Sequence, residues 1–139
     1  MKSLARHQLA YAIASGWAGA TLASAATLAQ GYPIQLRTLG TLQTIAFSMG
    51  KPDPGHGALA SAIAAWVLSP ESGAPLGRID DEGKRVPGEL LRRLASASRA
   101  EYLAADAEAI AFADAIKTIS KAIDKSKKTG PKPDQRSRR

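Results

Sequence analysis

The chain has 139 residues, which suits a single domain with a core of moderate size. It contains no cysteine, so disulfide bonds and thiolate metal sites are excluded. The net charge is +7, but residues 125–139 carry seven basic residues and one acid, which leaves only +1 for residues 1–124. The basic character therefore belongs to the C-terminal segment, which has no large apolar residue and is predicted to be disordered by itself.

Residues 3–29 are predicted to form one long helix, because Leu9, Ile13 and Trp17 recur at the spacing of a single helical face. No formal charge occurs between residues 8 and 36, so a signal peptide or a membrane span is an alternative. The stretch is rich in Ala, Ser and Thr, whereas a span needs about 20 predominantly apolar residues. A buried or half-buried helix is the preferred interpretation.

A second helix is predicted over residues 33–50, with Phe47 among its core residues. Gly40 lies in the middle of this helix and indicates a close helix crossing or a kink. Residues 51–57 contain two prolines and two glycines, which interrupt the helical pattern. A third helix is predicted over about residues 58–68.

The C-terminal half is predicted to contain a loop over residues 69–87, a short helix that begins near Pro87, and a long helix over residues 99–123. The long helix has apolar residues spaced alternately three and four apart, as in a seam that packs on another helix. The residues of this seam are Tyr102, Ala105, Ala109, Phe112, Ile116, Ile119 and Ile123. We therefore predict an all-α fold, with about five helices in a compact bundle over residues 1–124 and a disordered basic tail over residues 125–139.

The sequence offers no set of residues that could take the roles of acid, base and nucleophile. It has no P-loop, no GxGxxG motif and no GxSxG motif. His56 and Asp53 are two potential metal ligands in one loop, but a third ligand is missing nearby. We therefore predict a protein that is not an enzyme and has neither a cofactor nor a metal site.

The sequence offers more candidates for binding than for catalysis, because it has many basic residues. Lys and Arg bind phosphates without reading the base sequence. The residues that could form a basic surface are Arg37, Lys51, Arg78, Lys84, Arg85, Arg92, Arg93, Arg99, Lys117 and Lys121. Aromatic residues make up only 5% of the chain, so contacts with the backbone or with the shape of a duplex are expected to dominate over base stacking.

Two stretches of the chain carry a family resemblance. The motif residues of the first are Pro33, Gly40, Gln43, Ile45-Ala46-Phe47 and Lys51. The motif residues of the second are Tyr102, Glu108-Ala109-Ile110, Phe112 and Ile116-Lys117. With these motifs the chain resembles the small α-helical subunit of type III-B CRISPR RNA-targeting effector complexes, the fifth subunit of the Cmr-type module. It departs from the family pattern at Leu39, Ala115 and Thr118.

The resemblance implies a non-catalytic subunit that stacks along the crRNA backbone subunits and contacts the guide–target RNA duplex. Its partners would be the backbone and large subunits of the effector complex, neighbouring copies of itself, crRNA and target RNA, in the cytoplasm and without a membrane. Lys51 and Lys117 match basic positions of the family, and Arg37 and Lys121 lie near them on the predicted helices. These four residues are the predicted RNA-binding site, through contacts with phosphates.

Two alternatives remain open at this point. The chain could be the small subunit of a type III-A or another CRISPR effector, which would keep the mechanism and change the partners. It could instead be a secreted or membrane-tethered helical protein whose N-terminal stretch is a targeting segment. A helical enzyme is the least favoured class, because the sequence contains no catalytic set of residues.

Overall fold

The computed structural model describes residues 2–128, and every regular element in that range is helical. The α-helices of this range are, in chain order, α1 (Lys2–Ser15), α2 (Gly19–Ala29), α3 (Tyr32–Leu39), α4 (Thr41–Met49), α5 (Pro54–Val67), α6 (Pro87–Ala95) and α7 (Arg99–Lys128). Two short 3-10 turns, Pro70–Ser72 and Glu82–Lys84, lie in the loop before α6. The predicted all-α class is confirmed. The predicted number of about five helices is too low, because two of the predicted helices are each divided in two.

The first predicted helix is divided at residues 16–18, between α1 and α2. The backbone N–H groups of Gly16 and Trp17 donate to the carbonyls of Ile13 and Ala14 in a tight turn, at 3.0 and 3.1 Å. The Trp17 side chain is buried in the core at this turn. α1 packs along α7, and α2 packs against both α5 and α7. Within residues 2–128, none of the helices has the length and apolar character that a membrane crossing requires.

The second predicted helix is divided at Gly40, which has a φ of 82° and joins α3 to α4. A β-carbon here would lie 2.8 Å from the hydroxyl of Tyr102 on α7, so only glycine fits without displacing that side chain. The backbone N–H of Leu42 donates to the same hydroxyl (3.1 Å). The N–H of Thr41 donates to the Asp106 carboxylate (2.9 Å), which caps the start of α4. The predicted kink is confirmed, and it makes α3 and α4 a hairpin attached to α7.

α5 begins at Pro54, four residues before its predicted start. The Asp53 carboxylate accepts the N–H of Gly55 (2.8 Å) and the hydroxyl of Ser24 on α2, so it caps α5 and ties its first turn to α2. A β-carbon on Gly55 would come within 2.8 Å of the amide nitrogen of Ala25, so this glycine permits the close crossing of α2 and α5. Proline interrupts a helix but is favourable in its first turn, which is why the sequence pattern predicts the start too late.

α7 is the helix on which most of the others pack, since it contacts α1, α2, α3, α4 and α5. The predicted seam faces this core, and its fully buried members are Ala105, Ala109, Phe112 and Ile116. The helix continues to Lys128, so residues 125–128, which the composition predicts to be disordered, are helical. The rest of the predicted tail, residues 129–139, lies outside the described residues.

Candidate nucleic-acid interface

The aromatic motif residues of α7, Tyr102 and Phe112, face the interior of the bundle, where they position other helices. Tyr102 contacts Gly40 between α3 and α4. Phe112 stacks on Trp66 of α5, with 5.5 Å between the ring centroids and 3° between the ring planes. Both of these rings are buried in the core. These motif residues therefore stabilise the packing of the helices and do not form a contact surface.

Glu108 is a buried carboxylate that joins α7 to α1 and α5. It accepts hydrogen bonds from the Trp66 indole N–H (2.9 Å) and the Lys2 ammonium (2.9 Å), and it pairs with the Arg6 guanidinium (3.2 Å). Burial raises the pKa of Glu108, but the bonds from Lys2 and Trp66 and the charge of Arg6 more than offset this effect, so the pKa lies below its ordinary value. Glu108 therefore stays ionised at neutral pH and attaches the N-terminal helix to the core.

The motif of α4 divides between the core and the surface. Ile45 is fully buried, whereas Phe47 is 45% exposed, so the prediction that Phe47 belongs to the core is wrong. Four residues further on, the Lys51 ammonium lies 4.5 Å from the centroid of the Phe47 ring, within cation–π range. The ring of His56, in the first turn of α5, meets Phe47 edge to face with 5.9 Å between centroids. Phe47, Lys51 and His56 are named the Phe47 cluster here.

Phe47 lies outside the core because polar residues occupy the inward face of α4. Thr41 and Ser48 are both buried on that face. Thr41 is bonded to Asp106, and the Ser48 hydroxyl is bonded to the hydroxyl of Tyr32 (2.7 Å). Burial raises the pKa of Tyr32 to about 12, so its hydroxyl remains neutral and available for this bond. A pattern of apolar residues cannot reveal a buried helix face that is made of paired hydroxyl groups. The sequence pattern therefore predicts that Phe47 is buried, although it is not.

Three of the four predicted RNA-binding residues lie along one side of α7, beside α2 and α3. The Arg37 guanidinium pairs with Asp114 (3.3 Å), and Lys117 follows Asp114 by three residues on the same side of the helix. The carbonyl of Lys117 accepts a hydrogen bond from the side chain of Gln30 at the end of α2 (3.3 Å). Lys121 borders a shallow pocket together with Gln30. Arg37, Lys117 and Lys121 are named the α7 rim.

The structure therefore divides the predicted site into two surfaces, because Lys51 belongs to the Phe47 cluster and not to the α7 rim. The electrostatics of the two surfaces differ. Arg37 is paired with Asp114, although both side chains are about half exposed and such pairs contribute little to stability. Arg37 can thus exchange Asp114 for a phosphate at low cost. Lys51, in contrast, lies over an uncharged ring and keeps its full positive charge for a partner.

The two potential metal ligands of the sequence, Asp53 and His56, make separate contacts in the structure. Asp53 caps α5, and the hydrogen bonds from Ser24 and from the N–H of Gly55 lower its pKa. His56 packs against Phe47. Among residues 2–128, no three side chains of His, Cys, Asp or Glu are grouped so that they could hold a metal ion.

Most of the helical bundle is matched by the model of a known protein family. A family model described as CRISPR-associated protein (Cas_Cmr5) matches residues 6–123, a range that begins in α1 and ends in α7. The chain belongs to the Cmr5 family. This is a family of Cmr subunits of type III-B CRISPR systems, so the resemblance found in the sequence is confirmed. No curated protein and no solved structure matches the chain.

In this member of the Cmr5 family, sequence reasoning misses two groups of contacts. Phe47 and Lys51 are four residues apart, and this spacing is the signal by which their contact could be found. The contact of His56 with Phe47 has no such signal, because it depends on the conformation of residues 52–54. The same holds for the bond between Arg6 and Glu108, which are 102 residues apart in the chain.

Proposed function

We propose that this member of the Cmr5 family is a non-catalytic small subunit of a type III-B CRISPR ribonucleoprotein effector complex. It stacks along the crRNA backbone filament beside neighbouring copies of itself, and it contacts the guide–target RNA duplex during antiviral RNA interference in the cytoplasm. Its protein partners are the backbone and large subunits, and its nucleic-acid partners are crRNA and target RNA. The observation that carries this proposal is the family match over residues 6–123, which includes the core-forming parts of α1 and α7.

The α7 rim and Lys51 support a contact with RNA phosphates. Arg37, Lys51 and Lys121 are exposed, and Lys117 is half-buried with its backbone fixed by Gln30. Cations in such positions gain affinity from phosphates without reading the base sequence. This property suits a subunit that accompanies guides of many sequences.

Purification of the tagged chain from its native host tests the proposal directly. Mass spectrometry of the co-purified proteins and sequencing of the bound RNA are the two readouts. We expect several CRISPR effector proteins and short guide RNAs that share one repeat-derived end. Recovery of a lone protein without RNA at physiological salt would contradict the proposal.

Charge reversal tests the assignment of the phosphate contacts. K51E and K117E are each expected to weaken RNA engagement and to lower the slope of log affinity against log salt by about 0.7 to 0.9, the amount due to one phosphate. K84E is the matched control, because Lys84 is an exposed lysine of the loop before α6 and the variant changes the net charge by the same amount. Circular dichroism should show unchanged helicity for all three variants. A loss of helicity in K51E or K117E would mean that the residue stabilises the fold, and would remove it from the proposed site.

A further inference from the structure

Phe47 is an aromatic side chain that the core does not use. It lies near the end of α4 and is 45% exposed, whereas Ile45 and Ser48 on the same helix are completely buried. The Lys51 ammonium lies 4.5 Å from its ring centroid, and the His56 ring contacts it at 75° between planes. The cluster therefore combines a half-exposed aromatic ring with one ammonium group and one imidazole.

The Phe47 cluster is held in place by the first turn of α5. Asp53 bonds to the N–H of Gly55 and to Ser24 of α2, which fixes the segment that carries His56. The Asp53 carboxylate is engaged in these two bonds, and its charge also interacts with His56. A ring that is fixed in this way loses little freedom when a second ring stacks on it, and such preorganisation favours binding.

The surroundings of Phe47 favour a nucleotide over an apolar protein surface. On a helix, the neighbours of a side chain are three and four residues away. For Phe47 the exposed neighbours at these distances are Gln43, Gly50 and Lys51, which are polar, small and charged. An aromatic side chain next to a lysine is the combination that proteins use to bind single-stranded nucleic acid, because the base stacks and the cation contacts the backbone.

We propose that the Phe47 cluster binds one unstacked nucleotide of single-stranded RNA. The base stacks on the exposed face of Phe47, and the Lys51 ammonium contacts the phosphate of that nucleotide. His56 acts as a positioning residue, because its edge fixes the orientation of the Phe47 ring. The site deepens the RNA-binding role and rests on the proposed function. It also replaces the expectation from composition that base stacking contributes little.

A binding experiment with the full isolated chain tests the site. The probe is a short fluorescein-labelled oligouridylate, the competitor is an abasic strand with the same number of phosphates, and the readout is fluorescence anisotropy. F47L should weaken binding of the oligouridylate about tenfold, as expected for the loss of one stacked base, and should remove the preference over the abasic strand. M49L is the matched control, because Met49 is similarly exposed on the same helix at 46%. Its affinity should equal that of the wild type.

A second variant reports stacking directly. Trp17 and Trp66 are both buried, so the tryptophan introduced by F47W is the one at the surface. Its fluorescence should be quenched by a short oligoadenylate and not by the abasic strand. Unchanged affinity in F47L, or no quenching in F47W at saturating RNA, would overturn the proposal. So would a result in which F47L binds RNA normally but no longer recovers effector proteins, because the cluster would then be a protein contact.

The failure of this site and the failure of the proposed function are distinguishable. The oligonucleotide assays use the chain alone and report only on the Phe47 cluster. Co-purification from the host reports on membership of the effector complex. A chain that recovers guide RNA and effector proteins, while F47L binds the oligouridylate as tightly as the wild type, would retain the proposed function and lose this inference.

Discussion

At the scale of single residues, the contact between Gly40 and Tyr102 decides the direction of α4. The φ of 82° at Gly40 lies in the left-handed region, which residues with a β-carbon rarely adopt. The Tyr102 hydroxyl fills the space where that carbon would be and also accepts the N–H of Leu42. Gly40 therefore satisfies two constraints, because it adopts a positive φ and leaves space for the Tyr102 hydroxyl.

The substitution G40A is expected to destabilise the fold by about 2 kcal/mol, because it adds strain at a positive φ and displaces Tyr102. Urea denaturation followed by circular dichroism measures this change. G31A is the control, since a β-carbon on Gly31 would meet no atom within 4 Å and its φ is −101°. Equal stability of the two variants would show that the α3–α4 turn tolerates a side chain and would refute the steric argument.

At the scale of elements, α1 is attached to the bundle through a buried charge. Lys2 and Arg6 approach Glu108 from α1, and the Trp66 indole N–H approaches it from α5. Arg6 also lies 5.9 Å from the centroid of the Trp66 ring, within cation–π range. Buried charges of this kind are stable only when they are paired and hydrogen-bonded, and Glu108 meets both conditions. The position of α1 therefore depends on these polar contacts of Glu108 in addition to the apolar packing of α1 along α7.

The substitution E108Q should lower the free energy of unfolding by about 1 to 3 kcal/mol at neutral pH, because it leaves Lys2 and Arg6 without their carboxylate. Hydrogen exchange should show the loss of protection first in the amides of α1. E71Q is the control, because Glu71 is an exposed carboxylate of the 3-10 turn Pro70–Ser72. If protection falls equally in α1 and α4, the attachment is not specific to α1 and the assignment is wrong.

Wild type and E108Q should also differ in how the free energy of unfolding depends on pH. The pKa of Glu108 is lower in the folded chain than its ordinary value of 4.5, so the unfolded chain binds the proton more readily. The stabilising contribution of Glu108 is therefore complete above pH 4.5 and is lost as the pH falls through the lowered pKa. The stability difference between wild type and E108Q should shrink over that acidic range. A difference that is constant from neutral to acidic pH would contradict this linkage.

The elements that the sequence predicts well are those whose buried face is apolar. α7 is predicted over most of its length because the apolar residues of its seam repeat every three or four residues, and the helix packs on five other helices. α4 is misjudged because Thr41 and Ser48 occupy its buried face and Phe47 does not. Gly40 indicates the break before this helix, but the contact of Gly40 with Tyr102 from another part of the chain leaves no signal in the sequence. Pairing of distant polar groups leaves no periodic signal, which is why the Phe47 cluster and the Glu108 contacts emerge only from the fold.

At the scale of the whole molecule, positive charge is concentrated at the C-terminal end. The helix α7 ends in Lys125, Lys127 and Lys128, and four further basic residues follow in residues 129–139. The last turn of a helix is a favourable place for cations, because the helix dipole is negative there. The remaining part of the chain is nearly neutral, so a long-range attraction of the proposed RNA partner would come mainly from this end.

Replacement of Lys132, Arg136, Arg138 and Arg139 by glutamine lowers the net charge from +7 to +3 and tests this attraction. We expect about tenfold weaker binding of single-stranded RNA at low salt, with a difference that vanishes as salt screens the charges. A scrambled segment of the same composition is the control and should bind as the wild type does. Unchanged affinity in the glutamine variant at low salt would show that the charge of this segment plays no part.

The position of α7 in the chain has a consequence for synthesis. Lys2 of the first helix finds Glu108 only after 106 further residues have been made, and α7 is the common partner of α1, α2, α3 and α5. At a translation rate of roughly 5–20 residues per second, the ribosome needs on the order of 5–20 s to deliver that partner. During this interval the faces of α1, α2 and α3 that pack on α7 lack this partner, although α2 can already pack against α5. The nascent chain therefore completes this packing only after α7 has been made, and until then the unpaired faces are open to chaperones.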